Sequence, residues 1–294
     1  MDSLKKPGCY SLRERGVGVL RLLRPKQWVK NAFVLAPLIF SGQFLVPQQF
    51  MQGLLMMALF CVASSAVYIV NDWCDIERDR CHPNKSRTRP LASGLVSKPL
   101  AAVIIFVLYA LLALGAFWAP HGMVVILAYI LLNLAYSLAL KHQPIIDIFV
   151  IAFGFVLRVY AGAMDLHIQV SAWMFITTLC LALYLASIKR RQELTQVGGE
   201  GRNVLKHYSV ALVDRYAEMS ATSALLSYSM FAVSSRPTLV LTVPLVLFGM
   251  FRYWFVVESL DGGESPTDVL LTDRPLLVTV LLWGAACLWA LWPV

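Results

Sequence analysis

Apolar residues run along this chain in long uninterrupted blocks, and charged positions are confined to the gaps between them. No charged residue lies between Lys30 and Asp72, none between Lys98 and Lys141, and none over 275–294. Each of the first two runs is about twice the roughly 20 residues that cross a bilayer as an α-helix. Each is interrupted near its middle, by SGQFLVPQQ at 41–49 and by Ala119-Pro120-His121-Gly122. Both therefore predict helical hairpins. Segments 145–164 and 170–188 form a third pair around MDLHIQVS at 164–171, and 217–234 and 237–257 a fourth, broken at Ser234-Ser235-Arg236-Pro237. The pattern predicts an all-α integral membrane protein with about nine transmembrane helices, near 27–45, 50–71, 99–118, 122–140, 145–164, 170–188, 217–234, 237–257 and 275–292. A membrane barrel would need alternation in segments of about ten residues, whereas these blocks are continuously apolar.

Composition agrees. Of 294 residues 59% are hydrophobic and only 14% charged, with mean hydropathy +0.68; a soluble domain is nearer a quarter charged. Disorder is excluded because it requires low hydrophobicity. Lys and Arg number 25 against 17 Asp and Glu, a net charge of +8. Their placement reads as topology, since positive charge stays on the cytoplasmic side. Twenty-two of the 25 fall in the first 30 residues, in the loops after spans 2, 4 and 6, and just before span 9; only Arg236 lies opposite, and Arg158 and Arg252 fall within spans. The expectation is a multi-pass protein of a bacterial-type inner membrane, N-terminus cytoplasmic and C-terminus outside. Residues 1–23 read as a basic amphipathic segment on the anionic inner leaflet rather than a cleaved signal, and 24–294 as a single transmembrane domain. Nine spans leave no place for a nucleic-acid partner. The six cysteines form no CxxC pair, which disfavours disulfides and structural zinc.

The chemistry concentrates where span 2 ends, at Asn71-Asp72-Trp73-Cys74-Asp75-Ile76-Glu77-Arg78-Asp79. On a continuing helix Asp72, Asp75 and Asp79 fall within an arc of about 60°, Asn71 extends it, and Glu77 points away. Three carboxylates on one face repel one another unless a cation joins them, and hard oxygen ligands suit Mg²⁺, which bridges to substrate phosphates. A solvated helix end balanced by Arg78 and Arg80 is the plainer alternative. The following loop adds Lys85, Arg87 and Arg89 before Pro90-Leu91-Ala92-Ser93-Gly94. Carboxylates for a metal beside cations for phosphate oxygens are what a diphosphate leaving group requires, although topology alone also places cations there.

NDxxDxxxD at the end of span 2, followed by a basic loop ending RPLASG, resembles the UbiA superfamily of intramembrane prenyltransferases. Further segments are similar to one branch of it, the decaprenyl-phosphate phosphoribosyltransferases: RPKQWVKN at 24–31, YSLALKHQ at 136–143, Asp147 with Arg158, KRRQEL at 189–194, and Asp273-Arg274. The likeness extends over about 18–290. One departure is informative. The superfamily's aromatic and haem prenyltransferases carry a second acidic DxxxD motif after span 6, where this chain has Lys189-Arg190-Arg191-Gln192-Glu193. A basic wall there favours two separate anionic substrates, with Arg190 or Lys189 on a phosphate; a Lys189–Glu193 surface pair at i, i+4 is the alternative.

The resemblance implies a UbiA-like bundle with a cytoplasmic-side active site. There 5-phosphoribose would pass from 5-phosphoribosyl 1-diphosphate to a long polyprenyl phosphate, releasing diphosphate, for cell-wall or glycan arabinose precursors. Asp72, Asp75 and Asp79 would hold Mg²⁺-diphosphate, with Asn71 alongside and Lys85, Arg87 and Arg89 on donor phosphates. Lys141 and Tyr136 would reach the same cavity from span 4, and Lys26 and Lys30 would hold the acceptor phosphate. Ionisable Asp147 and Arg158 within a span mark a cavity or a partner; 11 positions apart, about 16 Å along a helix, they are poorly placed to pair with each other. No histidine pattern supplies a general base, and an anionic acceptor needs none. The alternatives are an aromatic prenyltransferase using a prenyl diphosphate and, less well supported, a transporter, whose sites lie near the bilayer midplane. A homo-oligomer is left open.

Overall fold

The computed structural model describes residues 11–81, 85–197, 203–259 and 266–292, and every regular element among them is helical. Helix α1 (Leu12–Leu23) opens on a capping box in which Ser11 and Glu14 bond each other's backbone. It leads through Arg24 into a 3₁₀ coil, Pro25–Leu35, and the short α2 (Ala36–Phe40). Then come α3 (Pro47–Cys74), α4 (Ile76–Cys81), α5 (Lys85–Thr88), α6 (Lys98–Gly115), α7 (Pro120–Leu138), α8 (Ile146–Met164), α9 (Ala172–Val197), α10 (Val210–Ser235), α11 (Val243–Ser259), α12 (Pro266–Thr272) and α13 (Arg274–Leu291).

Among the described residues seven helical segments are long and apolar enough to cross a membrane: 47–74, 98–115, 120–138, 146–164, 172–195, 237–259 and 274–291. The protein is a multi-pass membrane protein, but the expected count of nine is not reached on length and composition. The first expected span departs because its first part is the 3₁₀ coil, Pro37 opens the short α2 and Gly42 turns the chain at φ 77°. The seventh departs because Glu218 and several serines of α10 dilute its apolar content.

The 3₁₀ coil is the centre of the packing. It lies between α3 and α8, and Gly162 of α8 makes this approach feasible: a Cβ there would sit 1.7 Å from the Val34 carbonyl oxygen. Small residues let backbones approach closely in membrane bundles. Around the contact, Val34, Phe60, Ala63, Ile126, Tyr129 and Ala161 form a buried core. The outer face of α6, by contrast, presents Val103, Phe106, Val107, Leu111 and Leu114 outward, as a lipid-facing stripe requires.

Two intramembrane arginines are accounted for. Arg252 of α11 pairs with Asp273 at 2.8 Å, and Asp273 also caps α13 through the Leu276 N–H; these bonds hold the Asp273 carboxyl below its usual range. Arg158 sits deep in α8 and donates to neutral oxygens, Asn31 Oδ1 at 2.8 Å, Gly154 O at 2.6 Å and Tyr129 OH at 3.2 Å. Its guanidinium also lies over the rings of Phe60, Tyr129 and Phe155. Arg158→Met should leave Asn31 Oδ1 and the Tyr129 hydroxyl unsatisfied in a dry interior. A fall of several degrees in melting temperature in detergent is expected; an unchanged melt would remove Arg158 from the structural core.

Candidate active site

The acidic motif occupies the end of α3 and the start of α4. Its helix is not continuous: Asp75 leaves the α region at φ −100°, ψ 7°. The i, i+4 backbone bonds persist across the break, from Asp75 N to Asn71 O and from Asp79 N to Asp75 O. The shared face therefore survives. Asp72 and Asp79 are buried, Asp75 is half-buried, and Glu77 is exposed, paired with Arg80.

Asp72 and Asp75 each meet cations. Asp72 Oδ1 accepts from Arg24 at 2.5 Å and also from Arg89. Asp75 accepts from Lys141 at 3.0 Å and from Arg78 at 3.1 Å. Arg24 reaches Asp72 because the chain turns at φ 54°, ψ 57° after α1, and its guanidinium lies over the Tyr68 ring at 4.9 Å. Burial draws that guanidinium below its ordinary value, opposed by the nearby Tyr68 and Asp79. Trp28 and Ser65 anchor the turn, with Trp28 Nε1 donating to Ser65 Oγ, which donates to the Leu23 carbonyl. Asn71 accepts from Ser137 of α7 at 3.1 Å.

Magnesium was expected among three carboxylates, but among the described residues no three acid, His or Cys side chains gather closely enough to hold a metal ion. The reason is visible: Asp72 and Asp75 turn to different cations. The donor set still fits magnesium in a looser sense, because Asp72 Oδ2 is buried and lacks a hydrogen-bond partner. Mg²⁺ is commonly held by one or two carboxylates, with water and substrate phosphate completing its shell.

The second wall also differs from expectation. Arg190 was expected on a phosphate, yet its side chain is 0% exposed and enclosed by protein groups. It donates to Asp147 at 2.6 Å, Glu193 at 2.5 Å and the Tyr136 hydroxyl at 3.2 Å. The Tyr136 hydroxyl thus serves Arg190. Glu193 pairs with Arg190 at i, i+3, and Lys189 is half-buried. Asp147 and Arg158 do not pair, as their spacing predicted. Lys26 and Arg87 are exposed and Lys30 half-buried, while the Lys85 side chain lies outside the described residues.

Sequence reasoning missed Arg24, Ser137 and Tyr208. Arg24 had a usable signal, its place in the RPKQW segment; Tyr208 had none, since nothing in a loop pattern reports a contact 61 residues away with Asp147.

The UbiA prenyltransferase family model matches residues 33–267. A decaprenyl-phosphate phosphoribosyltransferase of Corynebacterium glutamicum is 35% identical over 90% of this chain and 84% of its own length. One of Mycobacterium tuberculosis is 33% identical over 91% of this chain and 92% of its own. Among solved structures, a UbiA homolog from Archaeoglobus fulgidus bound to GPP and Mg²⁺ superposes with a TM-score of 0.70 at 22% identity, covering 93% of this chain and 99% of its own. The bundle is the same; at that identity only the fold carries over. With a cation-lined acidic helix end inside that bundle, and a family match over most of its length, the chain belongs to the UbiA prenyltransferase family.

Proposed function

We propose that this enzyme transfers 5-phosphoribose from 5-phosphoribosyl 1-diphosphate to a long polyprenyl phosphate, releasing diphosphate, at the cytoplasmic membrane face. One observation carries the reading: Arg24, Arg89 and Lys141 converge on Asp72 and Asp75 at the end of α3. A site of this kind has cations for several phosphates and carboxylates for one metal. The names of the relatives point the same way.

The chemistry asks for charge management rather than proton transfer. Two anions must approach each other, and departure of diphosphate from an anomeric carbon builds cationic character there. Asp72 and Asp75 would hold Mg²⁺, which when bound neutralises charge on the leaving group. Arg89 and Lys141 exchange a carboxylate for a phosphate oxygen as the donor enters; bidentate guanidinium contacts orient it. Lys26 and Lys30 serve the acceptor phosphate at the membrane surface. The acceptor is already anionic, so no general base is needed. A single in-line displacement gives inversion at the anomeric carbon; a product of retained configuration would refute it.

The deciding assay gives purified protein in detergent labelled phosphoribosyl diphosphate and a polyprenyl phosphate, with and without Mg²⁺. Lipid-extractable label only with Mg²⁺ is expected. Absence of label, with reaction of a prenyl diphosphate and an aromatic acid instead, would replace this reading by an aromatic prenyltransferase. Within the same assay, Lys141→Met should raise the donor KM about tenfold, the scale of a charge-assisted hydrogen bond, and leave the acceptor KM unchanged. An equal rise in both would contradict its assignment to the donor.

A further inference from the structure

The crossover from α7 to α8 is clamped from two sides. On one, Ser137 donates to Asn71 and Lys141 donates to Asp75. On the other, Arg190 holds Tyr136 and Asp147. One further group closes the second side. The Tyr208 hydroxyl donates to Asp147 Oδ1 at 2.7 Å and accepts from the Ile145 backbone N–H at 2.5 Å. Ile145 needs that support. It stands at φ 68°, ψ −47° at the entry to α8, a positive-φ conformation costly for a β-branched residue. Both oxygens of Asp147 are consumed, one by Arg190 and one by Tyr208, and the carboxyl group is fully buried. Burial pushes the Tyr208 hydroxyl well above its usual value and the bond to Asp147 adds to this, so it remains a donor.

We propose that Tyr208 is a positioning residue for the donor diphosphate: by pinning Ile145 and Asp147 it holds the 136–147 crossover so that Lys141 faces Asp75. The inference rests on the proposed phosphoribosyl transfer for its kinetic consequence, but its binding consequence stands apart. Among the described residues Tyr208 bonds Ile145 and Asp147, not Lys141 or the acidic motif; it acts through the crossover. Its ring packs with Ile148, Val204 and Leu205, so Tyr208→Phe keeps the packing and removes only the hydroxyl.

The test compares wild type, Tyr208→Phe, Lys141→Met and the double variant. Binding of inorganic diphosphate with Mg²⁺ is measured by calorimetry, beside steady-state kinetics and melting temperature. Tyr208→Phe is expected to weaken diphosphate binding and raise the donor KM about tenfold, with the acceptor KM unchanged. The double variant should be no worse than Lys141→Met alone, because one residue acts through the other. Unchanged binding, or additive losses accompanied by a lower melting temperature, would overturn the proposal and leave Tyr208 a structural contact. Should Tyr208→Phe give no folded protein, Asp147→Asn must produce the same shift in diphosphate binding. If wild type transfers no phosphoribose, the reading of function fails, while the diphosphate binding series still decides the role of Tyr208.

Discussion

Asp72→Asn is expected to cut transfer by about 10²–10³-fold, the scale on which loss of one preorganised electrostatic group acts. Asp72 is 2% exposed, with two guanidiniums donating to one of its oxygens and the other oxygen buried without a partner. Asparagine preserves the shape and removes the charge. Arg24 and Arg89 then face each other across a neutral group, and the oxygen best suited to a metal becomes an amide nitrogen or a weaker ligand. The loss should appear chiefly in kcat/KM for the donor, and added Mg²⁺ should restore little of it. The measurement is labelled phosphoribose recovered in lipid, beside a melting curve showing that the variant folds. Asp75→Ala should also abolish turnover by removing the partner of Lys141. Wild-type turnover in Asp72→Asn would take this carboxylate out of the site altogether.

Gly162→Ala is expected to have the largest effect on folding. An added Cβ would lie 1.7 Å from the Val34 carbonyl oxygen and 2.7 Å from its carbon. Both are backbone atoms, so no side-chain rotation relieves the overlap; either α8 or the 3₁₀ coil must move. Overpacking costs about 1–3 kcal/mol where side chains can adjust, and a backbone obstruction should exceed that range. Moving the coil also displaces Asn31, which bonds Arg158, Ser64 and Cys61. The variant should give little monodisperse protein in detergent, or a melting temperature lower by ten degrees or more (about 2–4 °C accompanies each 1 kcal/mol in a chain of 150–250 residues). Gly284→Ala is the control, since nothing lies within 4 Å of a Cβ there. Equal stability of both variants would show that the α8–coil contact is not close in solution.

The contrast between those two glycines shows where sequence reading stops. Gly162 and Gly284 both interrupt apolar spans, and nothing local distinguishes them; only the segment packed against each does. The acidic motif divides in a similar way. Helical spacing alone put Asp72, Asp75 and Asp79 on one face with Glu77 turned away, and burial of Asp72 and Asp79 with Glu77 exposed agrees. Spacing could not supply the partners. Arg24 and Lys141 reach the acids from 48 and 66 residues away, so Asp72 and Asp75, which one helix face would have turned toward a common metal, are drawn to separate cations instead. Arg190 shows the same limit more sharply: its place in a basic run promised a phosphate ligand, and burial against Asp147 and Glu193 made it a strut.

What the chain determines by itself follows from interactions that are local or averaged over many residues. Continuous apolar length dictates helices in a bilayer, because unpaired backbone groups are too costly there; charge placement and the i, i+3, i+4 spacing of the motif are equally local. Tertiary structure decided what depends on a single long-range approach: a 3₁₀ coil in place of a first straight span, held against Gly162; Arg24 and Arg89 sharing Asp72; and Tyr208 pinning the crossover that carries Lys141. Each is set by close packing and by the need of a buried polar group for a partner within about 3 Å, and the identity of that partner is written nowhere near it in the chain.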